Sequence, residues 1–117
     1  MSKAKKITLW VLLGLSTLAF LAAGLGKLAG VEELHKSFAL MGLPVWFGYF
    51  IGASELAGAI GLWLRKLSVY AASGLIIIML GATYFHVAYE SVANAVPAII
   101  LIALLGGIIA LRKQQAA

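Results

Sequence analysis

The sequence predicts an all-α fold: a four-transmembrane-helix bundle with a short amphipathic outer segment between helices 1 and 2. Hydrophobic residues make up 63% of the 117 residues, and charged residues make up only 11%. Soluble domains are about half apolar and about a quarter charged, and a domain this small could not bury the excess apolar surface. The composition therefore excludes an ordinary water-soluble domain.

Four long apolar stretches account for this composition: residues 7–28, 45–64, 67–89 and 95–111. A helix needs about 20 residues to cross the bilayer core, which is about 30 Å thick. The fourth stretch is the shortest, and Pro97 is predicted to lie in the first turn of its helix with Asn94 as the cap. We expect residues 1–117 to form a single integral membrane domain.

Basic residues predict the orientation of the spans. Seven of the nine Lys and Arg residues fall on one side of the four-span arrangement: Lys3, Lys5, Lys6, Arg65, Lys66, Arg112 and Lys113. Segments rich in Lys and Arg stay in the cytoplasm, so both termini are predicted to be cytoplasmic in a multi-pass plasma-membrane protein. A cleaved signal peptide ending near Ala23 is the alternative interpretation of the first stretch.

The connection between the first two spans contains VEELHKSFALM, residues 31–41. Its apolar residues recur at helical spacing, and its charged residues lie on the other side. Gly42 and Pro44 follow as a helix-stop pattern. This segment predicts a short amphipathic helix on the outer surface of the membrane. An ordered loop without a helix is the alternative.

Glu55 lies near the middle of the second span, where a carboxylate is costly. Its neighbours at helical spacing are mostly small and include Gly48, Gly52 and Gly58. Small residues mark the faces along which membrane helices pack closely, so Glu55 is predicted to point into the bundle. Counted from Val45, it lies about 15 Å along the helix at 1.5 Å per residue.

Two further ionisable residues are predicted in the outer half of the membrane. Lys27 lies near the outer end of the first span, and His86 lies about one turn inside the outer end of the third. Ionisable groups inside membranes are usually paired and mark functional sites. We therefore predict a ligand-binding or proton-handling site at Glu55, Lys27 and His86. The residues predicted to line its pocket are Tyr49, Gly52 and Thr83.

A purely structural role is the alternative, in which Lys27 and Glu55 only fix the register of two helices. A buried ion pair is weak evidence for stability, because desolvation can outweigh the Coulomb attraction. His86 with Glu90, and Glu32 with His35, are metal-ligand types, but their spacing is unspecific and no metal site is predicted.

Other classes of function find little support. The chain has no cysteine, which excludes disulfides and thiol redox chemistry. It contains no nucleophile–base constellation, phosphate loop or dinucleotide fingerprint, so no catalytic residue is predicted. The net charge of +5 arises at the ends of the spans, and we expect the lipid bilayer rather than nucleic acid as the partner.

Three tracts of the chain resemble the DoxX-like family of small four-helix membrane proteins: AFLAAGLGKLAG, MGLPVWFGYFIGASELAGAIGLWL and IIIMLGATYFHV. The resemblance covers residues 20–86 and rests on Lys27, Gly42-Leu43-Pro44, Glu55 followed by Gly58, and His86. It implies a four-helix integral membrane protein, often bacterial, and hence the bacterial inner membrane. The family takes its name from a subunit of a thiosulfate:quinone oxidoreductase, so the resemblance also implies a quinone as a ligand to consider.

These observations lead to three functional hypotheses. The first is a protein that binds a small or lipid-phase ligand, as in a quinone-linked membrane subunit. The second is a non-enzymatic assembly factor or chaperone that grips partner transmembrane helices, as does a similar protein that assembles acetylcholine receptors. The third, a proton-coupled transporter, would require a homo-oligomer, because four helices make a small pathway.

Overall fold

The structure, a computed structural model, describes residues 1–116 and consists of α-helices joined by short turns. The five helices within this range are α1 (Lys3–Leu28), α2 (Glu32–Leu40), α3 (Val45–Trp63), α4 (Ser68–Tyr89) and α5 (Val92–Ala116). All except α2 are long and apolar enough to cross a membrane. The predicted all-α fold with four spans is therefore confirmed.

The four long helices form a ring. Helix α1 packs against α3, α3 against α4, α4 against α5, and α5 back against α1. The centre of the ring is filled by large apolar side chains from every long helix, including Leu13, Phe20, Leu62, Leu75 and Leu105. Consecutive spans are antiparallel, so both termini and the α3–α4 turn meet at one end, which we call the basic end.

Hydrogen bonds tie the basic end together. The guanidinium of Arg112 donates to the carbonyl oxygen of Leu62 at 2.9 Å and to the hydroxyl of Ser68 at 3.0 Å. Lys5 Nζ donates to Gln114 Oε1 at 2.8 Å. The hydroxyl of Ser68 also donates to the Leu62 carbonyl oxygen, at 2.7 Å, so Ser68 and Arg112 together satisfy this carbonyl at the end of α3. The sequence predicted only the contribution of Arg112 to orientation.

Two glycines end α1 and α2 at the opposite end of the bundle. Gly30 (φ +78°) and Gly42 (φ +76°) adopt the left-handed conformation that other residues rarely take. After each glycine, the next amide donates to the carbonyl five residues back, which completes a Schellman motif. The predicted amphipathic helix is confirmed, and the alternative of an ordered loop without a helix is wrong.

The start of α5 differs from the prediction. The helix begins at Val92, because the hydroxyl of Ser91 accepts a hydrogen bond from the Asn94 amide at 3.3 Å and caps it. Asn94 is therefore inside the helix and is not its cap. Pro97 lies beyond the first turn, where its ring nitrogen cannot donate to the carbonyl of Ala93.

We predict that Gly52→Ala destabilises the protein. A Cβ atom at Gly52 would lie 2.7 Å from the Cβ of Lys27 on α1 and 3.0 Å from the carbonyl oxygen of Gly24. Relief of this overlap requires α1 and α3 to separate, which should lower the free energy of unfolding by about 1–3 kcal/mol. Thermal unfolding in detergent measures the change.

Gly106→Ala is the matched control, because a Cβ atom at Gly106 meets no other atom within 4 Å. Alanine is favoured over glycine in a helix, so this variant should be at least as stable as the wild type. A Gly52→Ala protein that melts no lower than Gly106→Ala would contradict close packing of α1 on α3.

Candidate functional site

An ion pair joins α1 to α3 inside the bundle. Lys27 Nζ lies 2.8 Å from Glu55 Oε1, and the exposed fractions of the two side chains are 13% and 1%. The approach of the helices at Gly24 and Gly52 permits this contact, because a Cβ atom at Gly24 would lie 2.9 Å from the Gly52 carbonyl oxygen. The two charges are therefore held together by the same glycines that bring the backbones close.

Both carboxylate oxygens of Glu55 are buried without a well-aligned hydrogen bond among residues 1–116, although the Lys27 ammonium is in ion-pair contact with Oε1. Glu55 Oε2 is buried and has no hydrogen-bond partner among residues 1–116. A buried carboxylate oxygen without a donor costs free energy, about 1–3 kcal/mol or more for a charged group. Lys27 therefore supplies a counter-charge next to Oε1, and no donor lies next to Oε2.

A cavity of about 530 Å³ lies between α2, α3 and α4 in the half of the bundle away from the basic end. This volume falls within the range of about 300–1,000 Å³ that is usual for small-ligand pockets. Its walls are largely apolar and include Phe38, Phe47 and Ile78. Lys27, Glu55 and His86 also line it. The structure thus brings the three ionisable residues of the predicted site to one cavity.

His86 is more exposed than Glu55, with side-chain exposed fractions of 31% and 1%. Its ring pairs with the carboxylate of Glu90, the residue that follows the end of α4. Glu33 and Lys36 of α2 form a looser pair at 3.9 Å, and both also line the cavity. No group of three or more His, Asp or Glu side chains in the described part of the chain is placed to hold a metal ion.

The three residues predicted to line the pocket lie elsewhere. The ring of Tyr49 packs against His35, with 4.5 Å between ring centroids. Gly52 faces α1 rather than the cavity. The hydroxyl of Thr83 donates to the carbonyl of Met79 within its own helix at 2.8 Å. Tyr49, Gly52 and Thr83 are therefore absent from the cavity wall described above.

No role in the site was predicted for His35. In the structure, His35 Nε2 donates to the carbonyl oxygen of Lys27 at 2.7 Å. This hydrogen bond connects α2 to the last turn of α1, at the residue whose side chain pairs with Glu55. One sequence feature could have indicated a role for His35: it lies three residues before Phe38, on the same face of the amphipathic helix.

Comparison with known families agrees with the architecture. The model of the DoxX-like family matches residues 11–108, which is most of the chain. The chain belongs to the DoxX-like family. Its family and its four long apolar helices together make this DoxX-like protein a multi-pass membrane protein. No match was found among curated proteins or among solved structures.

We predict that Glu55→Gln destabilises the DoxX-like protein and that a second substitution restores it. Glu55→Gln removes the charge and leaves the Lys27 ammonium buried without a counter-charge, which typically costs about 3–5 kcal/mol. Adding Lys27→Met removes that ammonium, so the double variant should recover most of the lost stability. Thermal unfolding of both single variants and the double variant in detergent measures the coupling.

Lys36→Met is the control, because the pair of Lys36 with Glu33 is exposed to solvent. Exposed pairs contribute at most about 1 kcal/mol, so this variant should melt close to the wild type. Additive losses in the Lys27 and Glu55 variants would contradict an energetic coupling between the two side chains.

Proposed function

We propose that this DoxX-like protein binds a small lipid-phase ligand in the cavity between α2, α3 and α4. The observation that carries the proposal is the position of the Lys27–Glu55 pair in the wall of a largely apolar cavity. An apolar cavity with a few polar groups is the usual form of a site that holds a ligand in one orientation. The head group would lie at the pair, and the apolar body would fill the rest.

The surroundings of the cavity support a ligand that comes from the bilayer. A second space, an apolar groove of about 570 Å³, lies between α3 and α4. Ile51, Ile77 and Ile78 line both the groove and the cavity, so the two spaces adjoin. Ile77 is well exposed on the surface of the bundle. A ligand with a hydrophobic tail could therefore lie partly in the cavity and partly along the groove.

A quinone-type molecule is the head-group class that we propose first. Its ring would pack against Phe38 and Phe47, and one of its oxygens would accept a hydrogen bond from the Lys27 ammonium. Phe38 and Phe47 already pack edge to face, with 5.5 Å between ring centroids. The proposed role is that of a binding subunit, and electron transfer would be the work of a partner protein.

The hypothesis of an assembly factor receives less support from the packing. Its premise was that small-residue faces grip partner helices. On α3, however, Gly52 faces α1, and Cβ atoms at Gly58 and Gly61 would meet Leu75 and Ala71 of α4. These glycines serve contacts within the chain, so they offer no free face to a partner helix.

We predict that Gly81→Phe abolishes ligand retention. Gly81 lines the cavity, and a Cβ atom there meets no other atom within 4 Å, so a phenyl ring can occupy the cavity without disturbing the core. Native mass spectrometry of protein purified in mild detergent, followed by extraction of bound molecules, should show an apolar molecule on the wild type and none on Gly81→Phe.

Gly106→Phe is the matched control, because it adds the same side chain to α5 at a position that lines neither space. It should retain the molecule as the wild type does. Retention by Gly81→Phe at wild-type level would overturn binding in this cavity. A membrane protein that co-purifies at fixed stoichiometry with an empty cavity would favour the assembly factor instead.

We also propose that the basic end faces the cytoplasm of a bacterial inner membrane, because basic segments are retained on the cytoplasmic side. The chain has no cysteine, so single cysteines report accessibility without background. Ser2→Cys and Ala116→Cys should react with an impermeant maleimide only after the cells are opened. Ser37→Cys should react in intact cells. Labelling of Ser37→Cys only after the cells are opened would reverse the orientation.

A further inference from the structure

The unsatisfied oxygen of Glu55 specifies the chemistry of the ligand. Glu55 Oε2 is fully buried, lacks a hydrogen-bond donor within residues 1–116 and belongs to a side chain in the cavity wall. A carboxylate oxygen is satisfied only by a donor. We propose that the ligand carries a hydroxyl group that donates a hydrogen bond to Glu55 Oε2. This inference rests on the proposed function and names the class of molecule that the site takes.

A single hydroxyl satisfies both members of the ion pair. The ammonium of Lys27 has three N–H donors, and Glu55 Oε1 is its one polar partner in the described chain. A hydroxyl oxygen accepts from one N–H while its own hydrogen is donated. One ligand atom beside the pair can therefore accept from Lys27 and donate to Glu55. Ketones, ethers and oxidised quinones can accept a hydrogen bond from Lys27, but they have no hydrogen to donate to Glu55.

The charges of the cavity favour a neutral head group. Each carboxylate in the cavity wall already has a basic partner: Glu55 has Lys27, Glu33 has Lys36, and Glu90 has His86. A charged head group beside Lys27 and Glu55 would compete with that pair and leave one of its buried groups unpaired, which is costly. A hydroxyl adds hydrogen bonds and no charge, so the three pairs remain intact.

The inference separates two forms of a quinone-type ligand. The reduced quinol carries two O–H donors, whereas the oxidised quinone carries none. The site should therefore hold the quinol more tightly than the quinone. The same rule applies to any phenol or lipid alcohol, so it is tested best with a pair of probes that differ only in the donor.

The probes are 4-decylphenol and 4-decylanisole, in which a methyl group replaces the donated hydrogen. Their dissociation constants would be measured by isothermal titration calorimetry with wild-type protein in lipid nanodiscs, after subtraction of the signal from empty nanodiscs. We expect the phenol to bind about tenfold more tightly, which corresponds to about 1.4 kcal/mol for one hydrogen bond. Glu55→Met combined with Lys27→Met should bind the two probes equally.

The outcomes separate the inference from the proposed function. Equal affinity of the wild type for both probes, with binding lost in Gly81→Phe, would overturn the hydroxyl requirement and leave the cavity as a ligand site. Tighter binding of the anisole would also overturn the hydroxyl requirement. Failure of both probes to bind the wild type, or equal binding to wild type and Gly81→Phe, would overturn the proposed function as well. The wild-type ratio decides the question even if the double variant fails to fold.

Discussion

The contact between Lys27 and Glu55 sets the conditions for the rest of the bundle. Two charges are stable in an apolar interior only if they lie within direct contact of each other. Gly24 and Gly52 supply that proximity, because any side chain on either residue would push α1 and α3 apart. The same approach orients Glu55 so that one oxygen meets Lys27 while the carboxylate remains in the cavity wall. The close packing of α1 against α3 therefore also determines the geometry of the site.

The two ends of the bundle are built differently, and this separates the contacts that stabilise the bundle from the proposed binding site. At the basic end, Arg112 ties α5 to the α3–α4 turn, and Leu75 packs over Gly58. Towards the opposite end, α3 and α4 are separated by the cavity, which α2 covers. Hydrogen bonds hold the first end closed, whereas the second is covered by a short helix with no fully buried residue. Elements that open for ligands generally come from such weakly packed regions, and α2 fits that description.

The sequence was sufficient for the architecture and for selecting three ionisable residues that line one cavity, because both depend on composition and on position along a helix. Four apolar stretches define four spans, and Lys27, Glu55 and His86 are the ionisable residues that these stretches contain away from the basic end. The helix ends were less predictable, since the Ser91 cap moves the start of α5 by three residues. A cap depends on one local hydrogen bond, and Asn94 satisfied the same residue preference.

The cavity wall could not be predicted for a different reason. Each residue step turns an α-helix by about 100°, so the wall depends on which neighbour lies on each side. Tyr49 follows Gly48 by one residue and faces His35 rather than the cavity. The sequence predicted α2 on the outer surface without indicating which spans it covers. In the structure, α2 supplies Phe38 and the pair of Glu33 with Lys36 to the cavity wall. Two features of the proposed site, its paired charges and the groove that adjoins it, indicate the route by which a ligand would enter. A site whose charges are already paired, and which adjoins a groove among the spans, suits a molecule that reaches it through lipid. Such a molecule must be neutral enough to enter the bilayer, and a hydroxyl is polar enough to satisfy Glu55 without bringing a charge that the bilayer would exclude.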